Sequence, residues 1–235
     1  MKPLTFATLV GLVLIFAIAV AGATSRGRTQ EGPLSLAAGR GDVTTVRSLL
    51  ASGLNPNTPD GPRHSRALST AARTSRLEVM DALLGAGADP NLRDAGGNLW
   101  VPLMHAIHKH QPSAVKFLLD RGARPDGPPE LRFTPLMMAV ASGQTESVER
   151  LLDRGADPRR VAPGGVTLLT LAVSGGALTD IDEPLLGACH ADTVKLLRTR
   201  VPDLGLDRTW RGRLATLFAR LNGCREVLAL VAPTR

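Results

Sequence analysis

Tyrosine is absent from this sequence, and aromatic residues of all kinds make up 3% of its 235 positions. That excludes a core organised by ring stacking. It also removes the aromatic platforms on which a single-strand nucleic-acid binder stacks bases. Lysine occurs only at positions 2, 109, 116 and 195, so most of the formal charge of +7 is carried by arginine. With two cysteines in the whole chain there is no spaced zinc-ligand set. No P-loop, dinucleotide fingerprint or nucleophile motif appears either, so no cofactor is expected and the chain does not read as an enzyme. What remains is a sequence 43% apolar whose core must be built from leucine, alanine and valine, a composition suited to thin helices packed closely. Its basic residues are scattered through turns and helix faces in runs no longer than two, a pattern that argues against nucleic acid as partner.

Residues 4–23 read LTFATLVGLVLIFAIAVAGA, twenty positions without a charge, with Lys2 before them and Arg26 and Arg28 after. At about 1.5 Å rise per residue such a helix crosses a bilayer core of about 30 Å, so the segment reads as a membrane anchor. Small residues at Ala19 and Ala21, or Ala21 and Ala23, equally offer A-x-A cleavage sites of a signal peptide. Both readings stand. Residues 1–23 are a signal peptide or a transmembrane anchor, residues 24–30 a linker, and the rest is exported (periplasmic or secreted) or tethered by one N-terminal helix. Retained, residues 4–23 are a membrane contact; no cysteine follows them to carry a lipid.

Beyond residue 30 the sequence repeats itself. Gly53, Gly87, Gly122 and Gly155 lie 34, 35 and 33 residues apart, each behind a leucine pair: Leu49-Leu50, Leu83-Leu84, Leu118-Leu119 and Leu151-Leu152. Upstream in each unit, a leucine is followed three positions on by alanine, as in Leu34 and Ala37, Leu68 and Ala71, Leu103 and Ala106, Leu136 and Ala139. Thr134-Pro135 is a good helix start, because threonine can cap free N–H groups and proline at the first helical position loses no hydrogen bond; Pro33 and Pro102 hold the same place. Gly41 and Gly143 end the first helix. A second helix such as Val148 to Leu152 stops at a glycine suited to a left-handed turn, and a polar stretch rich in Pro, Asp, Asn and Gly follows.

Thr134-Pro135-Leu136-Met137-Met138-Ala139 resembles the T-P-L-H-x-A signature of the ankyrin repeat, and Gly87-Ala88-Asp89-Pro90-Asn91 resembles its G-A-D-x-N turn. The resemblance implies an all-α fold, an ankyrin-repeat solenoid of stacked helix-turn-helix units with hairpin-like turns, preceded by the N-terminal hydrophobic helix. Repeats are expected at about 31–63, 64–98, 99–131 and 132–164. A fifth, at 165–208, carries an insertion at 176–188, and a worn C-terminal cap spans 209–235. The family's histidine is replaced by Ser35, Ser69, Met104 and Met137, which removes the loop-bracing bonds it supplies unless serine restores some of them.

By the same resemblance the chain is a monomeric, non-enzymatic scaffold that binds a partner protein through a concave surface of turn tips and first-helix faces. The residues placed there are Arg73, Thr74, Trp100, His105, His108, Lys109, Arg132, Phe133, Met138, Arg159 and Arg160, with Ala141 and Ser142 beside them, and the arginines around such a groove imply a partner with an acidic surface. Trp100 either anchors a partner or packs on its own loop. His105, His108 and His110 would be the best metal candidates, but without a carboxylate or cysteine close in sequence they read instead as a pH-sensitive contact patch. Cys189 and Cys224 occupy nearly equivalent positions in consecutive units; they form a disulfide if the insertion bends the chain inward, and otherwise remain two separate thiols. The rival function is a small-molecule-binding or catalytic protein whose site is the insertion, where Asp180, Asp182 and Glu183 cluster.

Overall fold

A computed structural model describes residues 31–96, 99–175, 189–206 and 209–232. The hydrophobic segment at 4–23 and the insertion at 176–188 lie outside them. The chain divides between Glu31 and Gly32, and the architecture below is that of Gly32 onward. No helix among the described residues is long and apolar enough to cross a membrane.

The starts marked by Thr and Pro are helix starts. Thr134 accepts a hydrogen bond from the Met137 amide at 3.2 Å ahead of α7 (Pro135–Ala141), and Thr167 does the same for Thr170 at 3.3 Å ahead of α9 (Leu168–Ser174). Pro33 and Pro102 open α1 (Pro33–Arg40) and α5 (Pro102–His108), while α3 (Ala67–Arg73) starts after Arg66. These first helices are seven or eight residues long and, from α3 onward, nearly all core, while α1 is half-buried. Their alanines at 37, 71, 106, 139 and 172 are buried, and a methyl group at each lets neighbouring backbones approach.

The second helices, α2 (Val43–Ala51), α4 (Leu77–Gly85), α6 (Pro112–Asp120), α8 (Thr145–Asp153) and α10 (Ala191–Arg200), are nine or ten residues long and half-exposed. Val46, Val79 with Leu83, Val115 with Leu118, Val148 with Leu151, and Val194 with Leu197 form their buried stripe, at the three-to-four spacing of one helix face. Within the first four units, Gly53, Gly87, Gly122 and Gly155 follow the second helix at φ of 94, 90, 87 and 85°. Nothing lies within 4 Å of where a Cβ would sit on any of them, so glycine is required by the left-handed backbone and not by crowding.

Each first helix packs on the next first helix and each second helix on the next second helix, giving two parallel rows. The rows continue past the insertion: α9 packs on α7, and α10 on α8. Two further helices, α11 (Trp210–Leu221) and α12 (Arg225–Val231), pack on α9 and α10 as a sixth pair, within the stretch 209–235 read from sequence as a cap. One hydrophobic core runs through all of them from Leu34 to Val227.

Polar bridges tie the units at a fixed turn position, four residues beyond each glycine. Asn57 donates to the Gly87 carbonyl at 3.0 Å and accepts from the Asp89 amide at 2.9 Å. Asn91 repeats this with Gly122 and Arg124. Asp126 can only accept, and does so from the Asp157 amide; Arg159, next in the series, makes an ion pair with Asp203 instead.

Candidate protein-binding surface

The turn tips are braced by carboxylates. In the first unit Asp60 accepts from the Ser35 hydroxyl at 2.5 Å and from the amides of Leu34 and Ser35 at 3.2 and 3.3 Å. In the second, the buried Asp94 takes the Ser69 hydroxyl at 2.8 Å and the Arg66 amide at 3.0 Å on one oxygen, while its other oxygen stands 2.7 Å from His105 Nε2. Serine thus restores a loop-bracing bond where the family's histidine is missing. Met104 and Met137, in the third and fourth units, are core side chains at 1% exposure.

His105 is therefore engaged within the fold and does not form the exposed patch expected from the sequence. The carboxylate that sequence proximity seemed to deny it comes from Asp94, eleven residues earlier, because the turn folds back over α5. Trp100 lies half-buried across the two imidazoles, its ring 5.4 Å from that of His105 edge-on and 5.0 Å from that of His108. Of its two readings, the structure supports packing on its own loop and helix. His110 sits beyond α5 in a left-handed turn at φ 54°, and no group of three metal-ligating side chains gathers among the described residues.

In the fourth unit the correction is larger. Met138 and Ala141 are buried, because α7 is covered on every side. At its C-terminal end the cover is His190, which hydrogen-bonds to the backbone of Ala141 and stands where a Cβ on Gly143 would have to go. Burial pushes the His190 imidazole below its ordinary pKa, against the opposing pull of that bond. Phe133 packs half-buried against the core, and Thr74 Oγ1 is turned back onto the Thr70 and Ala71 carbonyls.

Two shallow clefts lie side by side at the tips of the fourth and fifth units, sharing Arg160. One, of about 290 Å³, is lined by Leu131, Arg132, Arg160, Val161 and the Gly164-Gly165 turn. The other, of about 240 Å³, lies among Arg159, Arg160, Leu168, Asp203 and Leu204. A single antiparallel bridge between Ala162 and Val166 holds the shared turn, and Arg211 Nη1 donates to the Gly164 carbonyl at 2.9 Å. Arg160 Nη2 donates to the Leu131 carbonyl at 2.6 Å, and Arg159 holds the Asp203 carboxyl below its usual pKa.

A model of three ankyrin repeats matches residues 71–162 and again 103–206, together covering 71–206 and so more than half of the chain. The chain belongs to the ankyrin repeat family. The fold agrees with the crystal structure of an ankyrin repeat domain from Acinetobacter baumannii at a TM-score of 0.66 and 25% identity, covering 85% of this chain and 95% of that one. Among curated proteins it resembles a putative ankyrin repeat-containing protein of Treponema pallidum, at 34% identity over 92 residues, which are 39% of this chain and 30% of that protein. It also resembles the glycerophosphocholine phosphodiesterase gde1 of Schizosaccharomyces pombe, at 39% over 95 residues, 40% of this chain and 8% of that protein. A third match is the E3 ubiquitin-protein ligase KEG of Arabidopsis thaliana, at 33% over 78 residues, 33% of this chain and 5% of that protein. The chain thus spans less than a third of the length of each of these curated relatives. Ankyrin repeats generally mediate protein–protein interaction and are typically non-catalytic.

Within this ankyrin array the cations sort by whether the fold already uses them. On the row of second helices Arg121 pairs with Asp81 at 2.5 Å, Arg154 with Asp120 and Arg200 with Asp153, each reaching back to the preceding unit. Lys116 also pairs with Asp120, and the two cations hold that carboxyl down at a pKa of about 2. The side chains of Arg73, Lys109 and Arg132, by contrast, have no hydrogen-bonding or ionic partner among the described residues, and Lys109 and Arg132 are exposed. The ladder escaped the sequence reading, although Leu-Leu-Asp-Arg-Gly-Ala at 118–123 and again at 151–156 is its signal.

Cys189 and Cys224 are joined in a disulfide with Cα atoms 5.3 Å apart. Cys189 immediately precedes the N-cap of α10, and Cys224 is the N-cap of α12, so the bond crosses between stacked units at the mouths of their second helices. Neighbouring helix axes stand about 8–10 Å apart, but chain ends turning in toward each other come within bridging range.

Proposed function

We propose that this chain is an interaction scaffold whose turn tips and first-helix faces take an acidic segment of a partner protein. The observation that carries the reading is a contrast of charge: Arg121, Arg154 and Arg200 on the second-helix row are each paired with the preceding unit, while the side chains of Arg73, Lys109 and Arg132, on the side where ankyrin repeats bind, have no partner among the described residues. A paired arginine has its charge balanced already. An unpaired one on a rigid frame attracts carboxylates at no cost in internal contacts. Arg132 and Arg160 share one cleft and give such a segment a seat beside Leu131 and Val161. We further propose that the array acts outside the reducing cytoplasm, as a monomer either released from or held by residues 4–23. The hydrophobic segment and the Cys189–Cys224 bond support this together.

The test is affinity capture with charge reversal at Lys109 and Arg132, two exposed positions whose replacement breaks no bond. Loss of the captured partner, with thermal stability unchanged and with capture by the parent weakening as salt rises, is the expected result. Capture that survives both reversals would remove the reading. Arg159 is unsuitable for this purpose, since reversing it sets two carboxylates against each other at Asp203.

A further inference from the structure

The sixth unit is amphipathic the wrong way round. Helix α11 buries its small residues, Gly212, Ala215 and Ala219, on the side that meets α9, and exposes its large ones. Trp210, Leu214, Leu217 and Leu221 follow one another at spacings of four, three and four and so form one stripe. Trp210 is 55% exposed, Leu217 48% and Leu221 72%, with Leu214 half-buried between them. The stripe is edged by arginine: Arg213 and Arg220 along one flank, and Arg211 along the other with its guanidinium 4.7 Å above the Trp210 ring. The helix contains no acidic residue.

We propose that α11 is a peripheral membrane contact that seats its Trp-Leu stripe in the surface of an anionic phospholipid bilayer. Charge decides against a second copy of this chain, because antiparallel pairing of two stripes about a twofold axis would set Arg213 and Arg220 against the same residues of the other copy. Shape decides against a peptide. A partner helix docks into a groove, whereas this stripe is a single ridge. An apolar ridge of Trp and Leu with arginines at its edges has the profile of a helix that lies in the headgroup boundary, with its cations at the level of the phosphates. The contact is independent of the acidic-partner reading and of whether residues 4–23 are retained.

The core begins at Leu34, so a chain of residues 32–235 keeps the whole fold and removes the hydrophobic segment from the experiment. Its co-sedimentation is measured with vesicles of phosphatidylcholine alone and of phosphatidylcholine mixed with phosphatidylglycerol. Binding to the mixed vesicles only is expected, with a blue shift of emission that Trp210→Phe abolishes. Arg213→Gln with Arg220→Gln should weaken partition about fivefold per arginine. Leu217→Ser with Leu221→Ser should weaken it at least about tenfold. Equal binding to both kinds of vesicle, or unchanged binding by both double variants, would overturn the proposal. So would an absence of binding to the mixed vesicles, including the case where the stripe proves necessary for capturing an acidic protein instead.

Discussion

Replacing Asp94 with alanine tests the claim that serine and a loop carboxylate brace the turn tips. Asp94 receives the Ser69 hydroxyl, the Arg66 amide and His105, and all three lose their partner at once. Ser69 is 1% exposed, so its hydroxyl has no route to water, and an orphaned buried donor costs about 2 kcal/mol. Arg66 and His105 are half-buried and regain water in part, which leaves about 1 kcal/mol each. Relief of burying the carboxylate returns some of this, so the net loss should be about 3 kcal/mol. Urea unfolding followed by far-UV circular dichroism measures it. A double-mutant cycle then isolates the mechanism. Ser69→Ala alone should cost about 1 kcal/mol, but in the Asp94→Ala background it removes a stranded hydroxyl and should cost nothing or stabilise. If Asp94→Ala costs less than about 1 kcal/mol, or if the two changes add to within about 0.5 kcal/mol, the bracing argument is wrong.

Cys189 and Cys224 close a loop with a sequence separation of 35, so reduction should lower stability by up to about 4 kcal/mol; a thermal melt unaffected by reductant would contradict this. His110 holds a left-handed turn that Gly41 and Gly143 hold in the first and fourth units, and His110→Gly should stabilise by about 0.5–1 kcal/mol in the same unfolding assay. Gly122→Ala should do the reverse, losing about 1 kcal/mol although no atom stands in the way of the methyl group. The Asp120 carboxyl is depressed to about 2 from an ordinary 3.8, so the stability it contributes is present above pH 3.8 and disappears as pH falls toward 2. Stability curves of the parent and Asp120→Asn should therefore converge across that window, and an NMR titration giving Asp120 an ordinary pKa would refute the pairing.

The helices were legible because their cause is local. Thr134 and Pro135 start one, Gly155 permits the exit from another, and the leucine and alanine spacings state which face is inside; none of this needs a distant residue. Assigning the binding surface by repeat position worked less well, since position in a repeat does not say what covers it. Met138 and Ala141 stand where an ankyrin unit can offer contacts, yet both are buried, and nothing within their own unit announces that His190, forty-seven residues beyond Gly143, closes the end of α7. His105 was misread for a related reason: its partner Asp94 belongs to the turn before its helix and is brought over it only when that turn folds back.

The turn position four residues past each glycine shows what repetition hides. Asn57 and Asn91 bridge with a donor and an acceptor, Asp126 keeps only the acceptor, and Arg159 changes to an ion pair with Asp203 across the interrupted unit. A motif reading scores the last two as decay. The fold keeps a bridge to the next unit in every case, so what the repeats share there is a junction that needs a polar tie, and any side chain that can reach the next turn supplies it. The same logic separates the arginines. Those with a carboxylate one unit back hold the array together, and changing them should cost stability before it costs binding. Lys109 and Arg132, whose charges meet no partner among the described residues, should behave in the opposite order.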